Sequence, residues 1–284
     1  MILVTGASGK TGRAVIRALV ARHHDVRAFV HRAESADAMR ALGASEVVVG
    51  AMADRDSLTH AARGARAIYH ICPNVSSDEI LFGANVIAAA LASGVERFVF
   101  HSVLHPQIEA MPHHWNKMRV EELLFASGLD VTILQPTAYM QNLLASWRAI
   151  VDDGVFRVPY PIASRISLVD LNDVAEAAAR VLTEPGHTGA SYELVGTPPL
   201  SQLEVAKVLS EALGRPVRVE AEPPEVWDAR MRIGGMGASE RETLLKMFRY
   251  YERHGLAGNA NVLRWLLVRP PTTLEAFARA AARA

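Results

Sequence analysis

The chain has one cysteine, Cys72, so no internal disulfide framework can form, and the composition fits a reducing compartment. It carries no excess charge of either sign. Thirty Lys and Arg balance thirty Asp and Glu, which leaves no net field to draw nucleic acid or an anionic membrane. No apolar run is long enough to span a bilayer, and a strand that begins at Ile2 leaves no room for a signal peptide ahead of it. Helix-turn-helix and zinc-module patterns are missing too. His101, His105, His113 and His114 have no carboxylate or thiolate companion at ligand spacing, so no metal site is expected. These absences point to a cytoplasmic protein with a small-molecule partner. With 284 residues, 50% hydrophobic and 21% charged, the chain can hold one large domain or two modest ones around an ample core.

What is present begins at the first dozen residues, MILVTGASGKTG. The apolar run Ile2-Leu3-Val4 breaks into Gly6, Gly9 and Gly12, and a helical pattern follows at once. A buried strand, a tight turn and a helix N-terminus together form an arrangement that receives a dinucleotide pyrophosphate. Glycines let backbone N–H groups approach phosphate with no Cβ in the way, and the helix end adds partial positive charge. The spacing is G-x-x-G-x-x-G rather than G-x-G-x-x-G, and three glycines alone fit a plain turn equally well.

The following residues repeat the pattern. Strands are expected at 25–30, 47–49, 67–71, 97–101 and 131–134, with helices after Gly12 to Arg22, from Leu58 to Ala65, Ser77 to Ser93 and Pro112 to Ser127. Strands alternating with helices at this spacing mean a doubly wound, parallel α/β sheet of the Rossmann kind. Past Pro136 the rhythm loosens. A helix over Tyr139–Val151 and an extended segment over Phe156–Ile162 are expected, then a strand or loop at 166–169. That segment enters a helix capped by Asn172 or Asp173. Short strands flank a helix from Leu203 to Leu213, and three further helical stretches end the chain, the last opened by Thr273. The expected division is a dinucleotide-binding domain over 1–152 and a smaller, mixed α/β substrate lobe over 153–284. The helix near 172–183 is expected to return to the main sheet. The Trp227–Tyr251 region, with Met231, Met236, Met247 and Phe248, reads as an adaptable apolar lid, a contact in a homodimer, or ordinary core.

Five stretches together carry a resemblance: TGASGKTGRAVIRAL, GASEVVVGAM with DSL after it, GVERFVFHSV, the helix bearing Lys117, and DVTILQPTAYMQNLL. With the closing RPPTTLEAFARAAA, they make the chain resemble the NmrA-like branch of atypical short-chain dehydrogenases along its whole length. The resemblance implies a Rossmann domain, a small C-terminal lobe and a cleft between them. It also implies one of two functions. Some members are NADPH-dependent reductases of quinones or other conjugated carbonyl compounds, and others are NADP(H)-binding redox sensors that act through a protein partner.

The cofactor follows from residues and resemblance together. Gly6, Ser8, Gly9, Lys10, Thr11 and Gly12 are the candidate phosphate contacts. An NAD-preferring enzyme ends its second strand with an acid for the ribose 2′-hydroxyl, whereas this chain has His31 and Arg32 there. Arg32 can take a 2′-phosphate in a bidentate pair with Lys10 nearby, so NADP(H) is expected; the plain alternative is a solvated strand end. Where the family places an acid facing the adenine, this chain has Ala51 and Met52 after Gly50. Cys72, Pro73 and Asn74 at the end of the fourth strand, and Pro136 at the end of the sixth, are expected to line the nicotinamide side.

For the chemistry, Ser102 stands where the family's strand-end serine stands, and Lys117 matches the lysine that holds the nicotinamide ribose. The usual tyrosine four residues before the lysine is absent, and His113 occupies its place. His113 could donate the proton, although a helix N-terminus and a nearby lysine both disfavour imidazolium; the plain alternative is a partly exposed His113-His114 pair, with the proton supplied by water or substrate. Lys117 has a plain alternative role as an i,i+4 partner of Glu121. Tyr139 and Asn142 are candidate contacts for a planar ring. A quinone substrate makes the missing tyrosine less costly, because its reduced form carries the negative charge until water protonates it. The silent sensor stays open beside the reductase.

Overall fold

The computed structural model describes residues 1–283. In chain order the elements are β1 (Ile2–Val4), α1 (Lys10–Val20), β2 (Val26–Val30), α2 (Ala36–Ala41), β3 (Glu46–Val49) and α3 (Arg55–Ala62). Next come β4 (Ala67–His70), α4 (Glu79–Ala92), β5 (Arg97–His101), α5 (Pro112–Phe125), β6 (Asp130–Pro136) and β7 (Ala138–Tyr139). Then follow β8 (Val155–Val158), β9 (Arg165–Ile166), β10 (Leu168–Val169), α6 (Leu171–Thr183), β11 (Ser191–Leu194) and β12 (Leu200–Ser201). The chain ends with α7 (Gln202–Leu213), β13 (Arg218–Ala221), α8 (Pro224–Ile233), α9 (Ala238–His254), α10 (Ala260–Leu267) and α11 (Leu274–Ala281).

Seven strands form one sheet in the order β11-β6-β5-β4-β1-β2-β3, and every pairing from β3 to β6 is parallel. The apolar runs of these strands suit a sheet covered on both faces. On one face Leu3, Phe29, Ile68, Phe98, Phe100 and Ile133 pack with Leu58 of α3, Val86 of α4 and Val120 of α5. Phe29, Phe98 and Phe100 are each 2% exposed or less, and burying one such ring is worth about 1.5–3 kcal/mol. Strand order reverses between β1 and β4, the switch point beyond whose strand C-terminal ends open α/β sheets hold their ligand crevice.

The chain divides into two compact units. The first comprises Met1–Gln107, His113–Gln135 and Val174–Tyr192; the second comprises Ile108–Pro112, Pro136–Asp173 and Glu193 onward. The second unit contains three short strand pairs, β7 with β10, β8 with β13 and β9 with β12, around a core that includes Phe156, Val158, Val205, Leu209 and Phe277. Asp173 is one of its fixed points. Its buried carboxylate accepts from Arg269 Nη2 at 2.7 Å, Thr272 N at 2.6 Å and Thr272 Oγ1 at 3.0 Å, and so ties the Pro270–Thr273 stretch to the start of α6.

Local structure departs from the sequence reading in three places. The short helix α2 fills a stretch for which no element was expected. Residues 139–151 do not form an α-helix: Tyr139 pairs with Val169 in a parallel bridge, a 3-10 helix covers Met140–Ser146 and a π-helical turn covers Ala149–Asp153. The Gln141 side chain also holds this segment, accepting from Leu171 N at 2.9 Å and donating to Asp170 Oδ1 at 3.0 Å. Finally, the acid accepting at the start of α6 is Asp170, whose Oδ1 receives Asn172 N at 2.6 Å; neither Asn172 nor Asp173 has that role.

Candidate functional site

The glycine turn is built from the end of β1. Thr5 Oγ1 lies 2.8 Å from His70 Nδ1 and accepts from Ile71 N at 3.1 Å, joining the C-terminal ends of β1 and β4 at the crevice. Gly6 then takes a φ of +56°, and a Cβ there would meet Ile71 O at 2.7 Å. A Cβ on Gly12 would press on Ala7 Cα at 2.7 Å, so both positions need glycine on steric grounds alone. Gly9 differs. Its φ of −72° is ordinary, and a Cβ there would meet only Gly6 O at 3.3 Å. Helix α1 starts without a side-chain cap and without an acid in its first turn, so no side chain there offsets the positive end of the helix. Ser8, Gly9 and Lys10 are exposed around that end, while Thr11 and Gly12 are buried beneath it.

At the end of β2, His31 and Arg32 are both exposed. After β3, Ala51 and Met52 are half-buried, and the loop is clamped from α4: Asn85 Nδ2 donates to Met52 O at 3.0 Å and Ala53 O at 3.3 Å. Arg55 Nε donates in turn to Asn85 Oδ1 at 3.0 Å. The fixed loop therefore offers an apolar surface, with Met52 packed against the sheet's core.

Lys117 lies at the C-terminal end of β5. Its Nζ donates to Glu79 Oε1 at 2.9 Å and to His101 O at 3.1 Å, and stands 5.2 Å from the centroid of the Phe100 ring. Glu79 is 2% exposed, so this pair is largely withdrawn from water. Glu121, the plain i,i+4 alternative for Lys117, is occupied elsewhere. It accepts from Ser102 Oγ in a short hydrogen bond and from Gln135 Nε2 at 3.0 and 3.1 Å. Burial pushes the Glu121 carboxyl above the usual carboxylate range, against the opposing pull of Ser102, Gln135 and Lys117. The Ser102 hydroxyl is thus a donor to a buried acid, and the residue is 2% exposed.

His113 falls in the first turn of α5, one turn before Lys117, with its ring edge-on to His114 at 4.5 Å. Burial, the neighbouring His114 and Lys117 lower its pKa to about 3, so the ring is neutral near pH 7. Its Nδ1 is buried with no hydrogen-bond partner among the described residues. Cys72 is buried, and its thiol is pushed up by desolvation and by the Glu79 charge, which leaves it a packed thiol rather than a thiolate. Pro73 and Asn74 are exposed beside it, and Val75 takes a φ of +48°, a strained conformation for a β-branched residue. Pro136 ends β6 and Tyr139 lies in β7; both belong to the second unit.

The first unit therefore gathers the glycine turn, Cys72, Ser102, His113 and Lys117, and adds residues that the sequence reading passed over. Glu79 is the one charged residue of the helix EILFGANVIAAALA, a local signal of a buried partner. Glu121 was visible as Lys117+4 but is bonded to Ser102 and Gln135. His70 and His101, both brought to a pKa of about 3 chiefly by burial, had no signal beyond being histidines inside strands.

Comparison with known proteins gives a consistent family. The NmrA-like family model matches residues 1–278. An NAD(P)H azoreductase of Xenophilus azovorans is 32% identical over 291 residues, covering 100% of this chain and 99% of that protein. The crystal structure of an NADPH-dependent quinone oxidoreductase of Escherichia coli, complexed with NADPH, superimposes with a TM-score of 0.86 at 28% identity, covering 99% of each chain. The triphenylmethane reductase of Citrobacter sp., complexed with NADP(H), gives a TM-score of 0.85 at 25% identity, with 99% of each chain covered.

Proposed function

This chain belongs to the NmrA-like family, and from that membership we propose that it is an NADPH-dependent reductase acting on a quinone or a similarly conjugated, planar carbonyl compound. It is an NAD(P)H-dependent oxidoreductase with NADP(H) as its cofactor. The residues present fit that group. Gly6 and Gly12 allow the tight turn, since a Cβ on either would meet the chain's own backbone, α1 starts without a side-chain cap or a first-turn acid, and Arg32 and Lys10 are exposed cations suited to a 2′-phosphate. Met52 and Ala51 would take the adenine, Cys72 to Asn74 and Pro136 the nicotinamide side, and Lys117 the ribose next to it.

When bound, NADPH supplies the hydride. The chain's own residues then define which acceptors suit the site, and one observation carries the reading: an anchored lysine stands among groups that do not release a proton at neutral pH. The His113 imidazole is neutral, the Ser102 hydroxyl is given to Glu121, and the Cys72 thiol holds its proton. A neutral imidazole can still donate an N–H to a developing oxyanion without handing over the proton. Such a site favours an acceptor whose reduced form is itself a stable anion, with water as the final proton source. Quinones meet that requirement, and the names of the Escherichia coli and Xenophilus azovorans proteins place conjugated acceptors among this chain's relatives. Tyr139 is a candidate ring contact on the family resemblance alone.

Steady-state NADPH oxidation with a small quinone and with an azo dye tests the reading. Sustained turnover with the quinone is the expected result. Micromolar NADPH binding with no turnover on either class would refute the reductase and leave a sensor.

A further inference from the structure

We propose that Glu79 is the positioning residue of the nicotinamide-side lysine: its buried carboxylate balances the Lys117 ammonium and leaves that ammonium a single hydrogen-bond donor for the cofactor ribose. The inference deepens the reading above and rests on NADPH occupying that side of the crevice. An ammonium has three N–H donors. Glu79 Oε1 takes one at 2.9 Å and His101 O takes a second at 3.1 Å, while the Phe100 ring lies 5.2 Å from the nitrogen. One donor remains, and its direction is set by the other two contacts. Lys117 thus acts as a one-point anchor instead of a mobile cation.

The groups that face Lys117 leave Glu79 without a substitute. His70 on β4, His101 on β5 and His113 and His114 on α5 are neutral imidazoles at physiological pH. Cys72, after β4, keeps its proton. Glu121, one turn along α5, gives its carboxylate to Ser102 and Gln135. Removing the Glu79 charge therefore leaves a largely buried ammonium with no counter-charge in contact, and burial then favours its neutral form. Glu79 also opens α4, so a purely structural role at that helix start is the competing explanation.

The test uses the full chain and reads NADPH binding by nicotinamide fluorescence across about pH 6.5 to 9, together with the thermal midpoint. Glu79→Gln is expected to weaken NADPH binding by about tenfold near neutrality, with the deficit widening as pH rises, unlike the wild type. Glu79→Asp keeps the charge one methylene further back and is expected to weaken binding without the added pH dependence, which also covers a Gln variant too unstable to assay. In a Lys117→Met background, Glu79→Gln is expected to cause no further loss. A loss of the same size in both backgrounds, or a lowered midpoint with unchanged NADPH affinity at every pH, would overturn the proposal. Failure of the wild type to bind NADPH would instead overturn the cofactor reading itself, so the two failures are distinct.

Discussion

Mild acid is expected to destabilise this protein well before its carboxylates titrate. His70, His101 and His114 are at most 3% exposed, and burial lowers their pKa values to about 3, 3 and 4. In the unfolded chain each returns to about 6.5. The folded protein therefore refuses protons that the unfolded chain accepts. The stability that rests on their neutral state is complete above about pH 6.5 and drains away as pH falls toward about 3. One unit below the unfolded value, at about pH 5.5, each imidazole costs about 1.4 kcal/mol, so the three together cost about 4 kcal/mol. That is a large share of a typical total of about 5–15 kcal/mol. Glu121, with its raised pKa, works in the opposite sense, but it is one group against three. Urea unfolding midpoints at about pH 7.5 and 5.5 measure the difference through the linear extrapolation. His70→Asn is expected to reduce the slope by about one proton's worth, about 1.4 kcal/mol per pH unit. A midpoint that does not move between the two pH values would refute the claim that these rings are held neutral.

Four further outcomes follow from the site. Arg32→Glu should weaken NADPH far more than NADH, by at least about tenfold in the ratio of their dissociation constants, and equal losses would remove the 2′-phosphate assignment. Gly9→Ala should cost less stability than Gly12→Ala, because its φ is ordinary and its Cβ would meet only Gly6 O at 3.3 Å, yet weaken NADPH; Gly12→Ala should lower stability by about 2 kcal/mol or more, through contact with the Ala7 backbone. With a quinone acceptor, kcat should show no ionisation near pH 6.5, since His113 is neutral throughout that range; a limb titrating there would make it a proton donor after all. Asn85→Leu removes both clamps on the loop after β3 and should raise the NADPH dissociation constant several-fold, and an unchanged constant would separate that loop from the adenine.

The sheet was legible because each apolar run ends in its own stop: Gly6 after β1, Gly94 after α4, Gly214 after α7. Periodicity failed at 139–151, where seven residues of 3-10 helix bury Met140 and Leu143 on a spacing that an α-helix would share, and only the Tyr139–Val169 pairing decides between them. It also missed α2, a helix of six residues with too few turns to show a stripe. Within the site, the family resemblance singles out Lys117 and Ser102, but the only partner that sequence spacing offers the lysine is the plain i,i+4 alternative, Glu121. An i,i+4 acid is the nearest along the helix, whereas Glu79 is brought alongside by the packing of α4 and α5, which is a property of the fold. The neutrality of His113 was anticipated from a helix end and a cation, but the larger cause is burial, which no local pattern reports.

Helix α4 holds the loop after β3 through Asn85 and Lys117 through Glu79, six residues apart, or about 9 Å along the helix axis. It therefore works as a gauge rod: the separation of the two grips is set by helical pitch, independently of the loops they restrain. Inserting one residue between them would turn one grip by about 100° relative to the other, so that only one could stay engaged.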